Sequence, residues 1–419
     1  MCEKNEIKLA KGFINFKQGN ESLVKENDDI EAALGKIKDK ISDLVNVKNL
    51  HFLLGAGASS DAIPAMAELL ETAQKEIENA EIDDILVDFN HDELKVFYNK
   101  IKNNSDNNLE KLLGTLYSKR AYQEGIDEKD DINDYVINII ENHIYKSINI
   151  DLSSTHAEKS LSIYNKFYQK LSLRNKDLAR VNVFTTNNDL ISETSLSYLN
   201  INYNNGFSSG VSRSFNPARF SYTNSRKIDS SIEKYEPLEN MVYLYKLHGS
   251  ISWIESDDNS LFNIKEIDIK PGTPSCGENV IVYPTPLKQN KSLGAPYADL
   301  IREFQSKLLL KHGVLIVIGY GFNDEHINNA IYSALASNSS LSIVIFGNYN
   351  HINLTKIPDR RIYQISGSIP SEMPCTNIKI HYFDYIANNI IPDLDRNQDD
   401  DILKKFVSYI SPKGTEKWL

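Results

Sequence analysis

The chain has 419 residues, enough to bury a sizeable core as one large domain with insertions or as two domains. Its 41% apolar and 25% charged residues are ordinary for a folded globular protein. Lys+Arg number 46 against 57 Asp+Glu, a net charge of −11, which argues against direct nucleic-acid binding, because phosphate contacts need clustered cations.

The N-terminus, Met1-Cys2-Glu3-Lys4-Asn5-Glu6, is polar and carries no secretory pattern. Nowhere do roughly 18 apolar residues run together, so no membrane span is expected and a cytoplasmic location is. The three cysteines, Cys2, Cys276 and Cys375, are scattered without a Cys-x-x-Cys pair, so neither a zinc ribbon, any other metal site nor a disulfide framework is expected.

Residues 1–47 read as a polar arm or oligomer contact with one helix near Asp28–Val45. Asn49–Leu54 is a short apolar run ending at glycine, the pattern of a buried parallel strand. From Ala65 to about Arg180 the period turns helical. Leu112, Leu116, Tyr117 and Tyr122 recur at helical spacing, as do Tyr135, Ile137, Ile140 and Ile144. Proline is absent from Met66 to Arg180, which suits a helical insertion capping the sheet. Val181–Phe184 reads as the next strand, Ser208–Leu238 as an irregular insertion, Met241–Leu247 as a strand and Asn279–Tyr283 as a short one. An amphipathic helix follows with Ile301, Phe304, Leu308 and Leu309 on one face. Val314–Ile318 and Leu341–Phe346 are buried strands around a helix at Glu325–Leu335. The tail holds strand-like Arg361–Ile365 and Asn377–Phe383, an acidic loop at Asp393–Asp401 and a closing helix near Ile402–Ile410. Alternating strands and helices predict an α/β fold, a Rossmann-like parallel sheet with right-handed crossovers. Its expected span is 48–350 with the helical insertion at 65–180, followed by a small C-terminal extension at 351–419.

Four polar segments lie at or just beyond apolar runs: Gly55–Ser59, Thr185–Asp189, Leu247–Ser250 and Gly319–Asp324. Strand C-terminal ends are where open α/β sheets bind nucleotides. Glycines in Gly55-Ala56-Gly57-Ala58-Ser59 allow close approach of a pyrophosphate to a helix start, or simply a tight turn. Asn188 and Asp189 could cap a helix, a reading that leaves Asn187 unexplained. His248 is either a buried, hydrogen-bonded residue or a proton acceptor. Gly319 and Gly321 around Tyr320 suggest a second close backbone approach, with Asp324 as the N-cap of the next helix and Asn323 less easily explained.

Set in order, these segments resemble the sirtuin family, whose pattern runs Gly-Ala-Gly-(Ile/Ala)-Ser, Thr-Gln-Asn-x-Asp, His-Gly and a later glycine loop. The likeness covers roughly 48–64 and 180–348. Departures are informative: Pro64 is followed by Ala65-Met66-Ala67 instead of Asp-Phe-Arg, Thr186 stands for Gln and Asn188 for an apolar residue, and the zinc ribbon of the protein deacylases is missing. Phe184–Asp189, Asn205–Ser208, Tyr243–Ser250 with Trp253, Ile281–Pro284 and Gly319–Ile327 look more like the blocks of bacterial sirtuin-like NADases of antiphage defence, those encoded beside a HerA-type ATPase.

That resemblance implies NAD+ as substrate, its hydrolysis to nicotinamide and ADP-ribose, a HerA-type ATPase partner and a ring-shaped homo-oligomer. By it Asn187 positions the water and the ribose, His248 acts as general base on the ribose hydroxyls, and Asp189 holds the nicotinamide carboxamide. Gly55, Ala56, Gly57 and Ser59 cradle the phosphates. Thr185, Thr186 and Gly321 line the nucleotide, and Gly319 and Asn323 lie near its adenosine half. Two alternatives stand beside it: a module that binds NAD+ or ADP-ribose without turnover, and a protein deacylase.

Overall fold

The computed structural model describes residues 12–25, 27–80, 89–106, 108–172, 174–175, 177–229, 231–255, 263–273, 279–281, 296–349, 351–371 and 377–393. The strands are β1 Phe13–Gln18, β2 Glu21–Ser22, β3 Asn49–Leu54, β4 Val181–Thr185, β5 Asn202–Asn204, β6 Arg213–Ser214, β7 Ser225–Asp229, β8 Lys234–Pro237, β9 Met241–Lys246, β10 Gly249–Glu255, β11 Ile264–Glu266, β12 Asn279–Ile281, β13 Gly313–Ile318, β14 Leu341–Phe346, β15 Ile362–Pro370 and β16 Asn377–Lys379. The main helices are α1 Ile30–Val45, α2 Met66–Glu78, α3 His91–Asn104, α4 Leu109–Gly125, α5 Asp131–Ile148, α6 Thr155–Ser172, α7 Ile191–Tyr198, α8 Tyr297–Leu308 and α9 Glu325–Ser337.

The central sheet runs β2-β1-β15-β14-β13-β3-β4-β9-β5, with β16 also on β15. From β15 to β5 every neighbouring pair is parallel. This is a mixed α/β fold with a Rossmann-type core, as the alternation predicts. Strand faces alternate as a sheet buried on both sides requires. Leu50, Phe52, Leu54, Val314, Ile316 and Ile318 face a core shared with α1, α6 and α7. Leu53, Leu315, Val317, Ile343 and Ile345 face the opposite core, under α8 and α9. β3 is central: the chain next visits its β4 side, and only much later adds β13 on the other flank. The strand order therefore reverses between β3 and β13, the place where doubly wound sheets open a crevice.

From residue 12 on, the polar N-terminal segment does not stand apart as an arm. β1 pairs antiparallel with β15 over six residues, and Ile37 and Ile41 of α1 are buried in the main core. The insertion is helical as expected. Its α2–α5 form their own apolar cluster around Leu112, Leu116, Ile137, Ile140 and Ile144, whereas Tyr122 is exposed. Ile251 of β10 belongs to that cluster, so the insertion docks directly beside the segment after His248. Helix starts follow local chemistry: Asp29, Asn108, Asp130 and Asp324 accept main-chain N–H groups, and Asn90 forms a capping box with Glu93.

Two expectations need correction. Ser208–Leu238 is not wholly irregular, since it carries β6 and the β7–β8 hairpin. Leu309 lies beyond the end of α8 and is half exposed, so the buried face is Tyr297, Leu300, Phe304 and Leu308. Asn279–Ile281 is a short strand as expected, and it lies in a second sheet, β12-β10-β11-β6. The acidic loop beyond Asp393 and the helix at Ile402–Ile410 lie outside the described residues, as do Cys2, Cys276 and Cys375. Among the described residues no helix is long and apolar enough to cross a membrane.

Candidate active site

Register brings the four motifs together. Ile318 of β13 lies opposite Leu54 of β3, Leu54 opposite Thr185 of β4, and Thr185 opposite Lys246 of β9. The residues that follow this row are Gly319, Gly55, Thr186 and Leu247-His248. Four segments spread over some 270 positions thus leave one edge of the sheet side by side, at the reversal of strand order.

The glycines meet one another first. A Cβ on Gly55 would lie 2.5 Å from the Gly319 carbonyl oxygen, and one on Gly319, whose φ is +65°, 2.6 Å from Ala58 N. Gly55 N–H donates to Ile318 O (3.0 Å) and Gly57 N–H to Gly319 O (2.9 Å). Their small size therefore serves a backbone-on-backbone crossing of the two loops, and these two amides are already engaged. Ala56 and Gly57 remain exposed at the surface of the turn, with Gly321 and Asn323 exposed on the other loop.

Ser59 is the hub beneath. Buried to 1% exposure, its Oγ donates to Asp189 Oδ2 at 3.0 Å and accepts from Asn187 Nδ2 at 3.0 Å. Tyr164 of α6 lies 3.0 Å from the same oxygen. A hydroxyl has one proton and two lone pairs, so with its proton on the carboxylate it accepts from both Asn187 and Tyr164. Ser59 is thus turned inward, holding Asn187 and Asp189, and is not presented to a phosphate. Asp189 is buried as well; its Oδ1 accepts from Ile191 N (2.9 Å), bracing the turn that leads into α7, whose N-cap is Leu190. Burial, with the Asp189 charge added, pushes the Tyr164 phenol well above its usual range, which keeps it a neutral donor.

Asn187 itself is half-buried, its N–H held by Thr185 Oγ1 at 3.0 Å. Thr185 is buried, while Thr186, half-buried, donates its N–H to Leu54 O. His248 is likewise half-buried, and its Nε2 lies 3.0 Å from Asp324 Oδ2. The other Asp324 oxygen accepts from His326 N and Ile327 N, capping α9. A carboxylate so occupied can only accept, so Nε2 carries the hydrogen and Nδ1 is the basic nitrogen. Asn188 joins the two halves by donating to His248 O (2.7 Å) and Gly249 O (3.2 Å).

Behind this floor sits buried charge. Lys246 Nζ donates to the Asp189 carbonyl and pairs with Glu193 Oε1 at 2.9 Å. Glu266 accepts from Asn205 Nδ2 at 2.8 Å and lies 3.5 Å from Arg213. Burial first, then the neighbouring Glu193, raises the Glu266 carboxyl to about 7. Among the described residues no group of three or more His, Cys, Asp or Glu could hold a metal ion.

Sequence reasoning named Asn187, Asp189 and His248 and did not find Tyr164, Lys246, or Asp324 as the histidine's partner. A lysine inside the apolar run Tyr243–Leu247 was a usable signal for Lys246. Tyr164 gave none, since it lies 105 residues from Ser59 in a helix of ordinary pattern. No curated protein matches the chain. Residues 181–353, which contain Asn187, Asp189, His248 and Asp324 and the strands that deliver them, match the SIR2-like domain family, so the chain carries a SIR2-like domain.

Proposed function

We propose that the chain is an NAD+ hydrolase that cleaves NAD+ to nicotinamide and ADP-ribose. The observation that carries this reading is the single register row from which Asn187, His248 and both glycine turns emerge at the strand-order reversal. The SIR2-like domain, of a kind typically NAD-dependent, supports the same substrate. The wider role follows as a proposal: a cytoplasmic effector of antiphage defence acting by NAD+ depletion, assembled as a homo-oligomeric ring with a HerA-type ATPase.

The chemistry asks little of acid catalysis. When the bond between ribose C1′ and nicotinamide breaks, its electron pair neutralises the pyridinium, so the leaving group needs no proton. What remains is to stabilise an oxocarbenium-like ribose and deliver water to it. Asn187, fixed at its side chain by Ser59 and at its N–H by Thr185, would hold the ribose and the water. His248 Nδ1 would accept hydrogen from a ribose hydroxyl while Asp324 stabilises the ring. Water oxygen bonds to C1′ and releases one proton to solvent, and any proton drawn to His248 returns to the ribose oxygen as ADP-ribose forms. The exposed Ala56–Gly57 and Gly321–Asn323 turns would border the phosphates and adenosine.

Incubating the purified protein with NAD+ alone, and with the ATPase present, should yield nicotinamide and ADP-ribose by chromatography. Asn187→Ala and His248→Ala should each lower that turnover by on the order of 10²–10⁴-fold with an unchanged melting temperature. Full turnover by His248→Ala would sink the assignment. Nucleotide binding without turnover under every condition would favour the binding module instead, and turnover only with an acylated peptide would favour deacylation.

A further inference from the structure

We propose that Asn188 is a positioning residue for His248, acting through the main chain of the turn that carries the imidazole. Asn188 is placed for this by three contacts. Its carbonyl accepts from Ile251 N at 3.1 Å, anchoring it to β10. Its side-chain amide donates both hydrogens, to His248 O at 2.7 Å and to Gly249 O at 3.2 Å. One residue earlier in the turn, Leu247 N donates to Thr185 O at 2.8 Å. The His248-Gly249 turn is thus stitched to the end of β4 on both sides of the histidine. The turn needs such a clip: Gly249 has a φ of +78°, and the chain reverses there from the parallel sheet into the second sheet. The imidazole is held at its far end by Asp324, from α9. Ring and backbone are therefore fixed independently, the ring by Asp324 and its Cα by Asn188. Asn187, the neighbour of Asn188, sits on the same five-residue segment, so one short stretch sets the Asn187 amide and the His248 turn relative to each other.

Only an amide fits this position, because both acceptors are carbonyls. Asn188→Asp has the same shape but offers oxygens to oxygens when ionised and regains one donor when protonated. Asn188→Ala takes both donors away from two carbonyls of a largely buried turn. The activity measurements rest on the hydrolase reading, and the spectroscopic one does not. At pH 8, Asn188→Asp and Asn188→Ala should lose on the order of a hundredfold in kcat with KM altered less than about twofold. The ratio of Asn188→Asp to wild-type turnover should climb as pH falls toward the ordinary aspartate range, while the Asn188→Ala ratio stays flat. In histidine-labelled protein, the His248 ring resonance, assigned by its loss in His248→Gln, should be one sharp signal in the wild type. It should shift or broaden in both Asn188 variants while the other histidine signals hold. An unchanged His248 signal, or wild-type kcat in Asn188→Ala, overturns the inference. If Asn188→Asp does not fold, the ring signal and kcat of Asn188→Ala decide it. If the wild type turns over no NAD+, the hydrolase reading falls and the ring signal alone decides the role of Asn188.

Discussion

At the scale of single residues, the site depends on side chains that perform two tasks at once. Asp324 caps α9 with one oxygen and orders His248 with the other, and only the capping task was legible in the sequence, because N-cap chemistry is local and a partner 76 positions away is not. The two tasks separate in Asp324→Asn. Asparagine caps a helix as well as aspartate, but its amide would donate to Nε2 and force the hydrogen onto Nδ1. The variant should melt within a few degrees of wild type and lose on the order of 10²–10⁴-fold in NAD+ turnover, as wrong-tautomer histidines do. Retained turnover in a kinetic assay would show that the tautomer is not what Asp324 supplies. Ser59 illustrates the opposite case. Its place in a glycine turn pointed to a phosphate, yet the partners that claim all of its hydrogen-bonding capacity come from positions 164, 187 and 189.

At the scale of elements, the parallel strands were readable because burial on both faces leaves a mostly apolar run, as in Asn49–Leu54, Val314–Ile318 and Leu341–Phe346. The second sheet was not. β6 and β11 are two and three residues long, and β10 begins inside a motif that draws attention to its histidine. The glycines show how a loop's composition can be right for an unforeseen reason. Gly57→Ala and Gly319→Ala would each drive a Cβ against main chain, at 2.8 Å and 2.6 Å respectively, where no flexible side chain can yield. Each should destabilise by about 1–3 kcal/mol, more for Gly319 because of its positive φ, measured by chemical denaturation. Gly321→Ala meets only the Asn323 side chain at 3.3 Å and should lie within about 0.5 kcal/mol of wild type. Equal effects at all three positions would contradict the loop crossing.

At the scale of the whole molecule, two buried groups tilt stability with pH in opposite directions. Burial raises the folded Glu266 carboxyl to about 7, so between the unfolded value near 4.5 and about 7 the native state holds a proton that the unfolded chain has released. Its contribution is complete below the lower value and is lost as pH rises through 7, amounting to roughly 2–3 kcal/mol. His51 in β3 is fully buried, which lowers it to about 3, so below pH 6.5 the unfolded chain takes up a proton that the native state refuses. That penalty grows on acidification until pH 3. Denaturation midpoints of Glu266→Gln should fall more steeply than wild type as pH drops from 7 to 5, since the opposing term is gone. A wild-type slope in Glu266→Gln would mean that Arg213 and Asn205 keep the carboxylate charged.

β3 also settles what can be cut from this molecule. The matched stretch, 181–353, holds β4 and β13 but not the strand between them. Excised by itself, it would present two raw inner edges in place of a sheet centre, along with an Asn187 and an Asp189 stripped of Ser59 and Tyr164. The recognisable portion of the chain is therefore not its smallest foldable portion. Any shortened version meant for crystallisation or for grafting onto another scaffold has to begin upstream of Asn49 and keep α6.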